Sequence, residues 1–323
     1  MIHLHDVAPG FFRVYAVLIG LVGGSFGNVV IHRAPRGLSV VRPASRCPAC
    51  GAPIAPYDNV PVLSYLWLRG SARCCGARIS PRYVVVELLG GLLSWAIVEA
   101  VVLRLPGDTL LGRAAAIFTA DLLLAIGLLI AAFIDLEHMY VPDLVSIGGT
   151  VLGIATFSFR PGVSLAGAIA GAAVGFLVVW LPFGVGYRAI RGRTGMGLGD
   201  AKLAMLAGAW FGWPGAVFAL LAGAVQGTLF AVVLVLVEGK IDEPVAVRAE
   251  KQRIEERLAT LSADERASAL AELGKDPVHE PSGKGVGQAR IAFGPFLVLA
   301  TLEYLLVGRD VLERYVRWLG FAW

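Results

Sequence analysis

Long apolar runs separated by short polar loops dominate the chain. A membrane-spanning helix needs about 20 predominantly apolar residues, and a span buried among others can be shorter. Eight runs fit this description, at residues 11–31, 83–103, 114–134, 144–159, 163–187, 201–212, 215–237 and 291–308. Trp213 and Pro214 separate the sixth run from the seventh, so these are either two spans or one broken segment. The pattern predicts an all-α integral membrane protein with about eight transmembrane helices.

Two polar segments interrupt this pattern. Residues 32–82 are rich in Pro, Arg and Cys and predict a small cytoplasmic module between the first two helices. Residues 238–290 are highly charged, and within 247–273 an apolar stripe predicts a surface helix, with Ile254, Leu258, Leu261 and Leu270 as its members. The predicted organisation has five parts. They are a first transmembrane segment (1–31), a Cys-containing module (32–82), a transmembrane core (83–237), a charged and partly helical cytoplasmic insertion (238–290), and a last transmembrane helix with an interfacial tail (291–323).

Composition strengthens the membrane interpretation. Hydrophobic residues make up 57% of the chain and charged residues 16%, and the mean hydropathy is +0.72. Soluble domains are about a quarter charged, so a soluble fold would leave this apolar surface uncovered. The net charge of +4 does not indicate nucleic-acid binding, because the arginines lie in short loops and not along one polar face.

Arginines also predict the orientation, since loops rich in Arg and Lys stay in the cytoplasm. Segment 32–82 contains a single acid, Asp58, against Arg33, Arg36, Arg42, Arg46, Arg69, Arg73, Arg78 and Arg82. We therefore expect this segment in the cytoplasm and the N-terminus in the periplasm. The C-terminal tail is an exception, because it falls outside by this count yet carries Arg309, Arg314 and Arg317.

All four cysteines lie in the first cytoplasmic segment, as Cys47-Pro-Ala-Cys50 and the adjacent pair Cys74-Cys75. Cytosolic thiols stay reduced, so a disulfide is not expected. Four thiolates can bind zinc tetrahedrally and fold a small module that lacks a core. An adjacent pair is unusual in a zinc knuckle, and reduced structural cysteines without a metal are the alternative.

Two aspartates are predicted at the cytoplasmic edge of the membrane, Asp135 at the end of the third run and Asp200 at the start of the sixth. Carboxylates in membrane segments are costly and mark functional sites. Two carboxylates that share one proton can activate water for peptide hydrolysis. On the residues alone, an N-cap role for Asp200 and solvation of Asp135 at the membrane interface explain the pattern equally well.

The motifs along the chain come in the order of a known family. They are residues 24–33, Cys47 to Cys50, 79–83, 87–91, 135–143, Gly197-Leu198-Gly199-Asp200 and 293–296. Together they resemble the type IV prepilin peptidases, the leader peptidase/N-methyltransferase enzymes of type IV pilus and type II secretion systems. The resemblance covers nearly the whole chain except residues 238–290.

The resemblance implies a bacterial inner-membrane aspartic peptidase of the GxGD type, which cuts the basic leader of type IV prepilins or pseudopilins on the cytoplasmic face. It makes Asp135 and Asp200 the catalytic pair, with Asp143 as the competitor for the first role. It also implies methylation of the new N-terminus with S-adenosylmethionine, although the sequence contains no glycine-rich strand–turn–helix pattern that would mark the binding residues. The alternatives are a peptidase without methyltransferase activity, a non-catalytic assembly factor, and a polytopic transporter that matches the motifs by chance.

The chain departs from the family pattern in two places. The third cysteine of the family would fall on Ala72 and the fourth on Cys75, so Cys74 is displaced by two residues. The insertion at 238–290 replaces the usual short loop. The glycines that precede Asp200 at every other position, which include Gly197 and Gly199, predict room for an extended substrate that enters laterally from the membrane.

Overall fold

A computed structural model describes residues 2–160, 162–191, 196–238, 252–254, 256–262, 265–266, 269 and 292–308. Within these residues the regular secondary structure is helical, and β-type pairing is limited to isolated bridges such as Arg46 with Pro53. The predicted all-α fold class is confirmed.

The described helices are α1 (Pro9–Arg33), α2 (Leu63–Trp67), α3 (Arg82–Ala100), α4 (Leu111–His138), α5 (Asp143–Ala155), α6 (Leu165–Val179), α7 (Tyr187–Arg191), α8 (Leu198–Glu238) and α9 (Gly294–Glu303). A π-helical segment, Trp180–Gly186, joins α6 to α7, and another, Tyr304–Gly308, extends α9. Five helices in the described part are long and apolar enough to cross a membrane: α1, α3, α4, α6 with its continuation, and α8. The helices α5 and α9 are apolar but shorter, although the sequence predicted a span at each.

Helix α8 contains both the sixth and the seventh predicted runs. Gly212 interrupts it with φ 71° and ψ −175°, a conformation outside the helical region. Pro214 follows two residues later, where its ring hinders continuation of the preceding helix. The two runs are therefore joined by a kink at Gly212, directly before the Trp213-Pro214 pair that the sequence suggested as the break.

The chain forms two compact units, one of Met1–Ala131 with Leu302–Trp323 and the other of Ala132–Thr301. In the first unit α1 packs on α3, and a Cβ at Gly90 would lie 2.5 Å from the carbonyl oxygen of Gly20. In the second unit α6 packs on α8, and a Cβ at Gly171 would collide with the backbone of Gly208. Glycine at these positions lets the helix backbones approach closely, as is common in membranes.

Short stretches of the charged insertion are described, and residues 252–254 and 256–259 are helical. Leu258 of the predicted apolar stripe is buried. Leu270 and the predicted interfacial tail at 311–323 lie outside the described residues.

Candidate active site and cysteine cluster

Asp135 lies in the last turn of α4 and is only 7% exposed. The backbone N–H of Gly294 donates a hydrogen bond to its carboxylate. Because Gly294 is the first residue of α9, one of the unpaired N–H groups at that helix N-terminus points at the acid. A Cβ at position 294 would collide with the Asp135 carboxylate, so this approach requires glycine.

Asp200 is the third residue of α8 and is half-buried. Its carboxylate accepts a hydrogen bond from the backbone N–H of Gly197. Its own N–H donates to the Gly197 carbonyl at 3.2 Å. Gly199 lies against the segment that follows Asp135, where a Cβ would come within 3.0 Å of Val141 Cγ2. The two glycines thus act differently, one holding the acid and the other allowing close packing.

The structure brings the two predicted aspartates together within the second unit. Their carboxylates are close enough for the charge of Asp135 to act on Asp200. Each side chain sits at the end of a long helix and is held by the backbone N–H of a glycine from another segment or from the preceding turn. The pair therefore has fixed orientation and a shared electrostatic environment, which acid–base chemistry on one substrate bond requires.

Asp143, the competing candidate, has different surroundings. It begins α5 and its side chain is 60% exposed. Lys202 Nζ donates a hydrogen bond to its Oδ1 at 2.5 Å. A cation therefore balances the charge of Asp143.

A cavity of about 550 Å³ lies beside the start of α8. Gly197 is part of its wall, next to Asp200. Its lining is largely apolar, and Arg188 is the charged group among the residues Val179, Trp180, Gly184, Val185, Arg188, Ala189, Met196, Gly197, Leu198 and Ala201. The sequence drew attention to Gly197 but not to Trp180, because no residue pattern signals the π-helical segment in which Trp180 lies.

The four cysteine sulphur atoms lie within 4.8 Å of one another. Cys47 Sγ is 3.7 Å from Cys75 Sγ, and Cys50 Sγ is 3.3 Å from Cys74 Sγ. Tetrahedral Zn–S bonds of about 2.3 Å separate the sulphur atoms by about 3.8 Å. The donor set and spacing therefore fit zinc, and the cysteines are free thiols, as predicted.

Each half of this cluster forms a backbone turn of the same kind. Gly51 N–H donates to the carbonyl of Cys47 at 2.8 Å, and Gly76 N–H donates to the carbonyl of Ala72 at 2.8 Å. Both glycines have positive φ, 72° and 68°. Ala72 thus occupies the position that corresponds to Cys47, and Cys74 supplies its sulphur from inside the turn.

Backbone donors and one ion pair set the charge of this module. The N–H groups of Cys50 and Ala49 point at Cys47 Sγ and lower the pKa of that thiol to about 6. A thiolate is the form that binds metals. Arg73 Nε donates to Asp58 Oδ2 at 2.8 Å, and this hydrogen bond lowers the pKa of Asp58. The ion pair links the second cysteine turn to the preceding loop.

Comparison with known proteins covers both sites. Residues 18–101 match the Bacterial Peptidase A24 N-terminal domain, and residues 122–232 match the Type IV leader peptidase family. A prepilin leader peptidase/N-methyltransferase of Myxococcus xanthus is 35% identical over 327 aligned positions, which cover 94% of each chain. The protein of that name from Klebsiella pneumoniae is 40% identical over 211 positions, covering 64% of this chain and 87% of the relative. No solved structure matches the chain.

The apolar helices and these relatives define a multi-pass protein of the bacterial inner membrane. The chain belongs to the type IV leader peptidase family. The four cysteines fall in the N-terminal match, and Asp135 and Asp200 both fall in the leader peptidase match. The resemblance inferred from the sequence motifs is confirmed.

Proposed function

We propose that this protein is a membrane-embedded aspartic endopeptidase that removes the basic leader of type IV prepilins or pseudopilins on the cytoplasmic face and then N-methylates the new N-terminus. The pairing of Asp135 with Asp200 carries the peptidase half of this proposal. Relatives named prepilin leader peptidase/N-methyltransferase support both halves, one of them over 94% of the chain. They do not favour a transporter or a peptidase without methyltransferase activity.

The two aspartates are close enough for the charge of one to act on the other, which suits a mechanism in which one is ionised and the other protonated. The ionised carboxylate takes a proton from water as its oxygen attacks the scissile carbonyl, while the protonated carboxylic acid donates to the carbonyl oxygen. When the tetrahedral intermediate collapses, a proton passes to the leaving amine. The N–H groups of Gly294 and Gly197 keep the carboxylates oriented. We propose that the catalytic partner of Asp200 is Asp135 and not Asp143, because Asp143 is exposed and paired with Lys202.

The substrate follows from the membrane topology that we propose. The arginine-rich segment 32–82 predicts a periplasmic N-terminus, and counting the apolar segments from there predicts both aspartates at the cytoplasmic edge. A prepilin with its apolar helix in the bilayer and its basic leader inside presents the scissile bond at that depth. The apolar cavity beside Asp200 then takes the first side chains after the cut, and π-helical segments such as Trp180–Gly186 are frequent at functional sites.

The two implied cofactors fit the described residues to different degrees. Cys47, Cys50, Cys74 and Cys75 suit zinc, which when bound would link the two turns and supply folding free energy. S-adenosylmethionine has ribose hydroxyls, which carboxylates commonly bind, and a sulfonium cation. Among the residues that line the cavity beside Asp200, Arg188 suits only the carboxylate of this cofactor, and the lining offers no acid for the ribose hydroxyls or the sulfonium. We therefore derive no methylation step from that cavity.

Incubation of the purified protein in nanodiscs with a candidate prepilin, with and without S-adenosylmethionine, tests the proposal by product mass. We expect loss of the leader in both reactions and the mass of one added methyl group only with the cofactor. A product that never gains the methyl group would leave a peptidase alone. An uncut prepilin would contradict the proposed function.

A further inference from the structure

The short helix α2 in the cysteine-containing segment exposes an apolar surface. Leu63 is 65% exposed, Leu66 63% and Trp67 82%. Three large apolar side chains on a helix of five residues would face water if this module were simply solvated. Contiguous apolar surface of this kind marks a contact with a membrane or another molecule.

A strained turn precedes this helix. Val62 has φ 61° and ψ −49°, which is a true outlier for a β-branched residue. The N–H of Leu63 donates to the carbonyl of Pro61 at 2.6 Å, closing a three-residue turn. The Glu87 carboxylate accepts a hydrogen bond from the N–H of Val62 at 2.7 Å. Such strain persists only where the surrounding structure enforces it, and the hydrogen bond of Glu87 is the contact from α3 that helps to hold the turn.

Glu87 also fixes the depth of that turn. It lies five residues beyond Arg82, the start of α3, or about 8 Å along the axis at 1.5 Å per residue. It packs against α1 at Gly24, where a Cβ would lie 2.7 Å from the Glu87 Cα. Gly24 lies nine residues before the end of α1 at Arg33, or about 14 Å along that helix. Measured along either helix, Glu87 lies inside the end of the span. Its hydrogen bond therefore holds Val62 near the apolar layer.

We propose that α2 lies in the cytoplasmic leaflet, with Leu63, Leu66 and Trp67 at the boundary between headgroups and acyl chains. Phospholipid covers these three side chains, since the depth of Glu87 leaves little water beside the start of the helix. Arg69 follows Trp67 and is exposed, in position to bind headgroup phosphates. Segment 32–82 carries eight arginines against one acid, which favours anionic lipids. The helix thereby anchors the cysteine module to the membrane, and this inference does not depend on the peptidase assignment.

The fluorescence of Trp67 tests this placement. Wild-type protein and the Trp67→Phe variant are reconstituted in nanodiscs of phosphatidylglycerol and phosphatidylethanolamine, and the difference between their spectra isolates Trp67. We expect the difference signal to be lost when the lipids carry bromine near the headgroup, and to survive aqueous acrylamide. Loss with acrylamide but not with brominated lipid would overturn the proposal. Protection from both quenchers would also overturn it, because another protein surface would then cover α2.

A pair of variants at Glu87 tests the anchor. Glu87→Gln keeps an acceptor for the Val62 N–H, whereas Glu87→Leu removes it. In the Leu variant we expect Trp67 to lose its quenching by brominated lipid and to become open to acrylamide. In the Gln variant we expect the wild-type pattern. Retained metal content in both variants would show that the cysteine cluster is intact, and identical quenching in both would reject Glu87 as the anchor.

Discussion

The aspartate site and the cysteine cluster are held in place by different means. Asp135 and Asp200 stand on α4 and α8, long apolar helices, and each carboxylate is held by the N–H of a glycine. The cysteines stand on two tight turns, and of the four only Cys47 is buried. Helix packing fixes the geometry of the aspartate site. The geometry of the cysteine cluster depends on its sulphur ligands and on a metal that would join them.

This difference predicts how each site fails. A small change at the aspartates should remove chemistry and leave the fold intact, because the helices pack through other residues. A change at a cysteine should loosen the module, because few apolar contacts replace the lost ligand.

The largest effect is expected from Asp135→Asn or Asp200→Asn. Asparagine keeps the shape of the side chain but cannot exchange the proton, so cleavage of a prepilin should fall by about 1,000-fold. Cleavage is read by product mass, and insertion by the yield of monodisperse protein.

Asp143→Asn is the matched control, because it removes a carboxylate from the same edge of the same unit. We expect it to retain most cleavage, since its charge pairs with Lys202. Near-normal cleavage by Asp135→Asn together with loss in Asp143→Asn would transfer the role to Asp143.

Gly294→Ala should have the next largest effect on cleavage. A Cβ there would collide with the Asp135 carboxylate, with its Cγ at 3.0 Å. The aspartate must therefore shift, and a misplacement of about 1 Å can lower a rate about 100-fold. Gly148→Ala is the control, because its Cβ would meet only Leu144 at 3.7 Å. Equal rates in the two variants would show that the Gly294 contact does not position Asp135.

The glycines before Asp200 should differ from each other. Gly199→Val would press on Val141, which a Cβ already approaches to 3.0 Å, and should separate the start of α8 from the segment after Asp135. A Cβ at Gly197 would lie 3.4 Å from the Asp200 carboxylate and 3.9 Å from the backbone nitrogen of Gly199, which are ordinary contact distances. We therefore expect Gly199→Val to reduce cleavage more than Gly197→Val. The reverse order would favour a role for Gly197 in making room for substrate.

The cysteine cluster should respond in metal content first. Cys74→Ala removes one of four sulphur atoms, and we expect zinc to fall from about one per chain to a small fraction. Ala72→Cys combined with Cys74→Ala restores a thiol at the turn position that matches Cys47, so we expect zinc to return. Metal analysis of protein purified without chelators reads the result. An absence of zinc from the wild type would reject the metal site, and its absence from the double variant alone would reject the correspondence between the two turns.

The long helices were predictable from the sequence because apolar length is a local feature, as in α1, α3 and α4. The motifs around Asp135 and Asp200 predicted a catalytic role for these acids by resemblance. The contact of Gly294 with Asp135 was not predicted. Both residues lie in motifs of the family, at 293–296 and 135–143, but motifs far apart in the chain do not indicate which of their residues touch. The kink in α8 was predicted within two residues from Trp213-Pro214, but the residue that absorbs it, Gly212, was not.

Residue spacing and backbone propensity were poor guides at two turns, those at Ala72 and at Val62. The displacement of Cys74 cast doubt on a tetrathiolate, yet the turn at Ala72 and Gly76 keeps the knuckle form and lets the displaced sulphur close the cluster. The strained turn at Val62 has no sequence signal either, since valine is disfavoured at positive φ. It depends on Glu87, which lies in another element.

The smallest effect is expected at the ion pair that joins Asp58 to the second cysteine turn. The hydrogen bond from Arg73 lowers the pKa of Asp58, so the ionised acid adds stability at any pH above its usual pKa of about 3.9, and this is lost only as pH falls through the lower folded value. Asp58→Asn should therefore release zinc to a chelator slightly faster than wild type, because an ion pair with a half-exposed guanidinium contributes little. The ratio of the two rates should be the same at pH 7 and pH 5, because Asp58 stays ionised at both, whereas the thiolates change the absolute rates of both proteins.

Asp108→Asn, an exposed acid of the same unit, controls for net charge. Equal release by Asp58→Asn and wild type at pH 7 would show that the cysteine ligands alone hold the module, which would sharpen its contrast with the helix-built aspartate site.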